Sequence, residues 1–386
     1  MKDALEILNP WWFGEKDNDL GKWEKQKVKW VPKWIEHISL KPFSLNFIVG
    51  PRQVGKTTGI KLLIKSLIEK GIEKEKIIYL NAELIPEIGK FEKTLISISR
   101  KNFDFIFIDE VTSLENWWMP LKGLIDAGCF KKSSLTVSGS ISLKLRKQAE
   151  LFPGRTGSGK VVEVMPLSFR ELVEVLKVGE KTSKIREAFE IYKKYGGFPA
   201  SLNYFENFYG EWVKAFESDI LKIGLSLKTS YQILSSLLTK LPSPVSYQSI
   251  ASDIGVSYKT VSEYLEKFEN LFVMKLVYWK EGKRIDFKKE KKIFFRDPLI
   301  LHAISFWTKE KFLDATLYEN IVQEHLFRRF GEVYYYRDGF EIDCLADELK
   351  IEVKAGKPHR KYPRNVIILE EEDIPEFLLK LENFPK

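Results

Sequence analysis

The stretch Leu45–Lys61, LNFIVGPRQVGKTTGIK, constrains this chain more than any other. A short apolar run leads into Gly50-Pro51-Arg52-Gln53-Val54-Gly55-Lys56-Thr57, which satisfies G-x-x-x-x-G-K-[ST] at every position, and helical periodicity follows. The two glycines let the backbone curl so that its N–H groups point inward at phosphate oxygens, and the next helix adds the positive end of its dipole. In that arrangement Gly50 to Thr58 cradle the phosphates, Lys56 reaches the β- and γ-phosphates, and the Thr57 hydroxyl ligates Mg²⁺. ATP and Mg²⁺ are the cofactors such a loop predicts.

The length of 386 residues predicts two or three domains. With 44% hydrophobic and 30% charged residues the chain reads as globular and soluble. Four His and two Cys argue against a His-rich metal site and a disulfide framework. Cys129 and Cys344 fall in apolar runs, as buried thiols do. The start, MKDALEILNPWWF, lacks the apolar core of a signal peptide, and no window approaches the ~20 apolar residues of a membrane span. A cytoplasmic protein without a membrane partner is expected. Abundant Lys and Glu with few Cys and Met lean toward a thermophile. The net charge of +8 permits nucleic-acid binding without requiring it.

Residues 1–44 form an arm with Trp11, Trp12, Trp23, Trp30 and Trp34 among lysines, expected to pack its indoles on the core rather than stack on nucleic acid. From 45 to 165, strand-like runs at 45–49, 76–80, 103–109, 134–138 and 161–165 alternate with helical segments, so an α/β core with a parallel sheet is predicted. The third run ends in Asp109-Glu110. An aspartate there holds Mg²⁺, and a glutamate beside it orients and deprotonates the attacking water. The fourth run enters Ser138-Gly139-Ser140, where Ser140 either senses the γ-phosphate or only ends the strand. Arg155, in the loop Phe152–Gly157, is either a finger on the γ-phosphate or a surface arginine.

Residues 166–243 read as a helical lid broken at Gly196-Gly197-Phe198-Pro199. Residues 244–298 read as a winged helix-turn-helix. In its second helix, capped by Ser257, Val261, Leu265, Phe268 and Phe272 share one face, while Tyr258, Lys259, Thr260 and Glu263 lie outward near its start. The basic tip EGKRIDFKKEKK adds Lys283, Arg284, Lys288 and Lys289, which makes DNA the expected partner. Residues 311–386 read as one helix, four strands and an acidic helix. Asp343 and Glu352 lie on two adjacent strands, with Lys354 two residues on and Glu319 on the preceding helix. Carboxylates converging there would bind Mg²⁺ through oxygen, and Lys354 would activate water or steady a phosphorane. A solvated strand face is the alternative.

These residues together resemble the archaeal and bacterial P-loop ATPases of the AAA+/STAND group that carry a winged helix and a C-terminal PD-(D/E)XK restriction-endonuclease-like domain. The resemblance rests on GPRQVGKTT at 50–58, FIFIDEV at 105–111, FPGRTG at 152–157, PLSFREL at 166–172, KYGGFP at 194–199, FFRDP at 294–298 and EID…IEVK at 341–354. The start Asn9-Pro10-Trp11-Trp12 is similar to the archaeal branch. The resemblance implies ATP hydrolysis at Lys56, Thr57, Asp109 and Glu110, and a nuclease-like triad at Asp343, Glu352 and Lys354. It departs from the pattern at 355–365, where two prolines leave no room for the helix that such nuclease domains place after E-x-K. The expected machine is a Mg²⁺-dependent ATPase acting on DNA, with Mg²⁺-dependent DNA cleavage by the C-terminal segment left open. Its rival is a nucleotide-driven switch whose C-terminal parts are interaction modules. Homo-oligomerisation and a protein partner are left open.

Overall fold

The computed structural model describes residues 4–139, 151–179, 181–203, 207–356 and 362–384. The chain divides into two compact units, Met1–Met165 and Pro166–Lys386. In the first, five parallel strands form a sheet in the order β2-β3-β4-β1-β5. They are β1 (Ser44–Val49), β2 (Ile77–Asn81), β3 (Phe105–Asp109), β4 (Ser134–Ser138) and β5 (Val161–Glu163). The strands predicted from apolar runs are found within a few residues of their expected limits, because strands covered on both faces read as continuous hydrophobic runs. The phosphate-loop strand β1 is flanked by β4 and β5, and β4 separates it from β3.

The N-terminal arm closes the β2 edge. The Asn9 amide exchanges two hydrogen bonds with the Tyr79 backbone, donating to its carbonyl at 2.9 Å and accepting its N–H at 2.7 Å. The Trp12 indole donates to Ile77 O at 2.9 Å and its ring stacks on Phe103. An edge strand offers unpaired backbone groups, and here the arm takes them up. Trp34 is buried against the first turn of the helix Lys56–Glu69, where a Cβ on Gly59 would lie 2.2 Å from its ring. Trp11, Trp12 and Trp34 thus pack on the core, as expected, while the Trp23 indole donates to Trp30 O at 3.2 Å within the arm. Cys344 is buried, but Cys129 is exposed, contrary to expectation: it follows the helix Trp118–Asp126 in a turn rather than lying inside an element.

The second unit opens with helices Phe169–Val175, Thr182–Tyr195, Pro199–Asn203, Phe208–Lys222 and Leu227–Leu238. Ser168 and Glu171 form a reciprocal capping box on the first. Helices Tyr247–Ile254 and Tyr258–Asn270 follow, joined through Gly255, and the Ser257 hydroxyl caps the second by accepting the Thr260 N–H at 3.0 Å. Val261, Leu265, Phe268 and Phe272 are all buried, as their spacing predicts.

Next come β6 (Met274–Glu281), β7 (Arg284–Asp286) and β8 (Lys292–Phe295), with β6 antiparallel to both of the others. Helices Pro298–Thr308 and Asp314–Phe330 precede β9 (Tyr334–Asp338), β10 (Phe340–Ala346), β11 (Leu349–Lys354) and β12 (Ile367–Glu370), and the helix Ile374–Lys380 comes after them. β6 pairs in parallel with β9, through Tyr278–Tyr334 and Trp279–Tyr335, so the seven strands make one sheet. The segments 244–298 and 311–386, read from sequence as separate parts, therefore share a backbone hydrogen-bond ladder. β12 pairs in parallel with β11, and residues 357–361 between them lie outside the described residues.

The helix Asp314–Phe330 is buried along most of its length, polar residues included. His325 is one of these. Its Nε2 accepts the Phe169 N–H at 3.0 Å, so the proton resides on Nδ1, which faces Ile321 O at 2.7 Å. Burial, then the Arg328 charge, depress its pKa from 6.5 to about 4. A depressed pKa means that the unfolded chain takes up the proton first as pH falls. The contribution is complete above the unfolded value near 6.5 and is lost toward pH 4, a span equivalent to about 3 kcal/mol at most. His325→Gln should flatten the acid limb of stability between pH 6.5 and 4 in denaturant titrations, while lowering stability at neutral pH.

Candidate functional site

The phosphate loop leaves β1 at Gly50 and enters the helix Lys56–Glu69. Gly50 passes so close to β5's exit that a Cβ would meet Val164 O at 2.1 Å. Gly55 stands in the left-handed region, φ 91°, where only glycine is unstrained. Gln53 also takes positive φ and is exposed at the tip, with Arg52 half-buried and Val54 anchored in the core. Pro51 is buried and Thr58 is half-buried on the first helical turn. The side chain of Lys56 is buried, and its ammonium donates to Gly50 O at 2.8 Å and Pro51 O at 2.7 Å. An ammonium held there by loop carbonyls has the charge that a bound phosphate would meet.

Facing the loop, Asp109 ends β3 at 1% exposure. Its Oδ2 accepts the Thr57 hydroxyl at 2.6 Å and the Tyr79 hydroxyl at 3.0 Å. Its Oδ1 accepts the Ser138 hydroxyl and the Glu110 N–H, the latter at 3.0 Å. Glu110 is half-buried, in the left-handed region at φ 55°, where the chain turns sharply off the strand. Burial, then the Asp109 charge, raise the Tyr79 phenol well above its usual pKa, so it acts as a fixed donor. Tyr79 and Ser138 are the contacts to Asp109 that sequence motifs did not assign. A lone hydroxyl inside the apolar run KIIYL, and another ending β4, were the available signals.

Lys61 lies behind this cluster. It is buried, paired with Asp17 at 3.0 Å and 3.4 Å above the Tyr79 ring. Burial lowers its pKa, against the pull of Asp17. Arg155 pairs with Asp126 and donates to Pro153 O at 3.0 Å; none of its described contacts is with the phosphate loop. Ser140 lies outside the described residues. The loop, the buried ammonium and the Thr57–Asp109 pair fit a nucleotide triphosphate with its Mg²⁺: Lys56 and the loop N–H groups would hold phosphates, and Thr57 and Asp109 the metal.

Residues 43–173 match the family described as an AAA domain. That match takes in the phosphate loop and all five strands of the first unit's sheet. Residues 186–311 match a domain of unknown function. An uncharacterized protein of Methanocaldococcus jannaschii is 28% identical over 355 residues, covering 83% of this chain and 76% of its own. One of Haemophilus influenzae is 27% identical over 326 residues, covering 78% and 79%. Among solved structures, the ORC2 protein of Aeropyrum pernix in ADPNP and ADP complexes is similar with a TM-score of 0.44 at 13% identity, covering 77% of this chain and 95% of its own. The ORC1 protein of the same organism, in complex with DNA, is similar with a TM-score of 0.34 at 15% identity, covering 68% and 86%.

In the second unit, Tyr258 and Lys259 are exposed at the start of the helix Tyr258–Asn270, with Glu263 exposed one turn on, and the Thr260 hydroxyl rests on Ser257 at 2.9 Å. Lys283, Arg284, Lys288 and Lys289 are all exposed around β7, with Phe287 63% exposed among them. The Lys289 ammonium sits 4.0 Å above the Trp279 ring, and Arg284 lies 3.6 Å from Asp286. No described helix is long and apolar enough to cross a membrane.

The carboxylates expected to bind a metal in the C-terminal segment are brought together, but on a cation the sequence reading missed. Glu319 and Asp343 both meet the buried ammonium of Lys292. Glu352 pairs instead with Lys354 and accepts the Tyr362 hydroxyl at 2.8 Å. Burial, then Asp343, push Glu352 up to about 7. Among the described residues no group of three or more His, Cys, Asp or Glu is placed to hold a metal ion. In this arrangement carboxylate oxygens expected to bind Mg²⁺ at Glu319, Asp343 and Glu352 are engaged in ion pairs with Lys292 and Lys354.

Lys56→Ala removes the only loop ammonium and leaves Gly50 O and Pro51 O without it. A fluorescent ATP analogue should bind at least about tenfold more weakly to that variant, a loss of about 1.4 kcal/mol or more, with the thermal midpoint little changed.

Proposed function

We propose that this protein is a Mg²⁺-dependent ATPase whose turnover is coupled to DNA binding. The observation that carries the reading is the contact at 2.6 Å between the Thr57 hydroxyl, at the end of the phosphate loop, and the buried carboxylate of Asp109. These two oxygens come from the first turn of the helix Lys56–Glu69 and the end of β3, and would meet a phosphate-bound cation there. Lys56 and the loop amides bind the β- and γ-phosphates. Mg²⁺, when bound, neutralises charge on the phosphate oxygens. Tyr79 and Ser138 keep Asp109 oriented, and Glu110 takes the proton of the attacking water. Ser138, bonded to Asp109, would sense the γ-phosphate, a role the sequence left open for Ser140. Arg155 joins the site only if a conformational change, or another copy of the chain, releases it from Asp126.

The DNA part of the reading rests on the exposed basic ring around β7 and on Tyr258 and Lys259 at the start of the neighbouring helix, the arrangement of a winged helix-turn-helix. Lys283, Arg284, Lys288 and Lys289 would contact phosphates, with little dependence on sequence. Protein partners and oligomeric state are not part of the proposal.

The experiment for the hydrolytic site is Glu110→Gln. The amide cannot accept the water's proton, so the variant should bind ATP with wild-type affinity and hydrolyse it at least about a hundredfold more slowly, in keeping with the weight of a general base. Wild-type turnover by Glu110→Gln would remove Glu110 from this role.

A further inference from the structure

The centre of the C-terminal sheet holds three carboxylates around one ammonium. Glu319 comes from the helix Asp314–Phe330, Glu341 and Asp343 from β10, and Lys292 from β8. The Lys292 Nζ lies 2.8 Å from Glu319 and 2.9 Å from Glu341, and it also pairs with Asp343. The ammonium donates hydrogen bonds to Glu319 and Asp343, and Glu341 adds a third ion pair. The Lys292 side chain is 2% exposed, and those of Glu319 and Asp343 are 9% and 4% exposed.

The remaining oxygens are largely committed as well. The second oxygen of Asp343 accepts the Val353 N–H at 2.9 Å. One oxygen of Glu352 takes Lys354 and Tyr362, which leaves the buried Glu352 Oε2 without a hydrogen-bond partner. A divalent ion of the hard class requires six or so oxygens with their charge available. It would have to displace Lys292, whose backbone is held opposite Val277 in the β6–β8 ladder.

The electrostatics agree with a resident cation. Burial works against the charge on Lys292, but Asp343, Glu319 and Glu341 outweigh it and hold its pKa well above the usual lysine range. Burial, then the Asp343 charge, hold Glu319 well above the ordinary carboxyl range, against the pull of Lys292.

We propose that Lys292 is the built-in cation of this cluster, occupying the place that a nuclease-like reading gives to a divalent metal, and that the C-terminal sheet functions without one. A cluster of this kind retains the carboxylates and shape of a nuclease-like site yet has no metal to activate water. Its effect is mechanical: Lys292 stands on the strand next to β6, which also carries the β7 hairpin, so the cluster ties that hairpin to the helix Asp314–Phe330 and to β10.

The test is Mn²⁺ uptake by the nucleotide-free full chain, followed by the EPR signal of free Mn²⁺. Wild type, Asp343→Asn and Glu319→Gln should take up Mn²⁺ identically. Lys292→Met should gain one site per chain, tighter by at least about tenfold, and Asp343→Asn in that background should abolish it. A wild-type site that either carboxylate variant loses would overturn the proposal. So would a folded Lys292→Met chain that gains no site. Should Lys292→Met not fold, the wild-type comparison with Glu319→Gln decides alone: equal uptake supports a resident lysine and reduced uptake refutes it.

Discussion

A carboxylate taken out of water costs several kcal/mol unless donors meet it where it sits, and Asp109 shows how that requirement shapes the first unit. Four donors meet its two oxygens, from Thr57, Tyr79, Ser138 and the Glu110 backbone. They come from the loop helix, β2, β4 and the turn after β3, so the position of one carboxylate fixes these four elements relative to one another. The same atoms form the face on which a phosphate-bound cation would rest. Lys61 continues the chain outward, from the Tyr79 ring to Asp17 and the arm. The arm is thereby part of the support of the nucleotide site.

The second unit meets the same requirement around the helix Asp314–Phe330. Glu324 accepts Arg296 at 2.5 Å and Arg328 at 2.6 Å, and Arg328 also donates to Pro166 O at 2.6 Å. Asp297, next to Arg296, accepts the Gly197 N–H at 2.9 Å and lies where a Cβ on Gly196 would be 1.7 Å away. Leu167 N donates to Gly197 O at 2.8 Å. The motifs PLSFREL, KYGGFP and FFRDP, far apart in the chain, are therefore one packed junction. Their glycines and charges belong to that junction and to no chemistry seen in this structure.

This explains what the sequence could and could not tell. Strand limits were readable because apolar runs such as FIFID have one stable disposition in a covered parallel sheet. Phosphate-loop chemistry was readable because its residues are contiguous. Tyr79 was not, since one hydroxyl in KIIYL says nothing about which strand end it faces. Lys292 was hidden in the basic run KKEKKIFF, where it looks like solvated surface. Its partners Glu319 and Asp343 are 27 and 51 residues away, and only the fold brings them together. The β6–β9 pairing was equally invisible, because parallel pairing of two short strands leaves no local pattern.

The proposed function couples the nucleotide site to DNA bound at the basic hairpin. ATP turnover measured with single-stranded, duplex and branched DNA over a salt series tests it most directly, comparing wild type with a chain in which Lys283, Arg284, Lys288 and Lys289 are all glutamine. The account predicts that DNA raises wild-type turnover, that salt removes the increase, and that the quadruple variant keeps its DNA-free rate without the increase. A turnover rate that no DNA structure changes, in wild type at low salt, would contradict it.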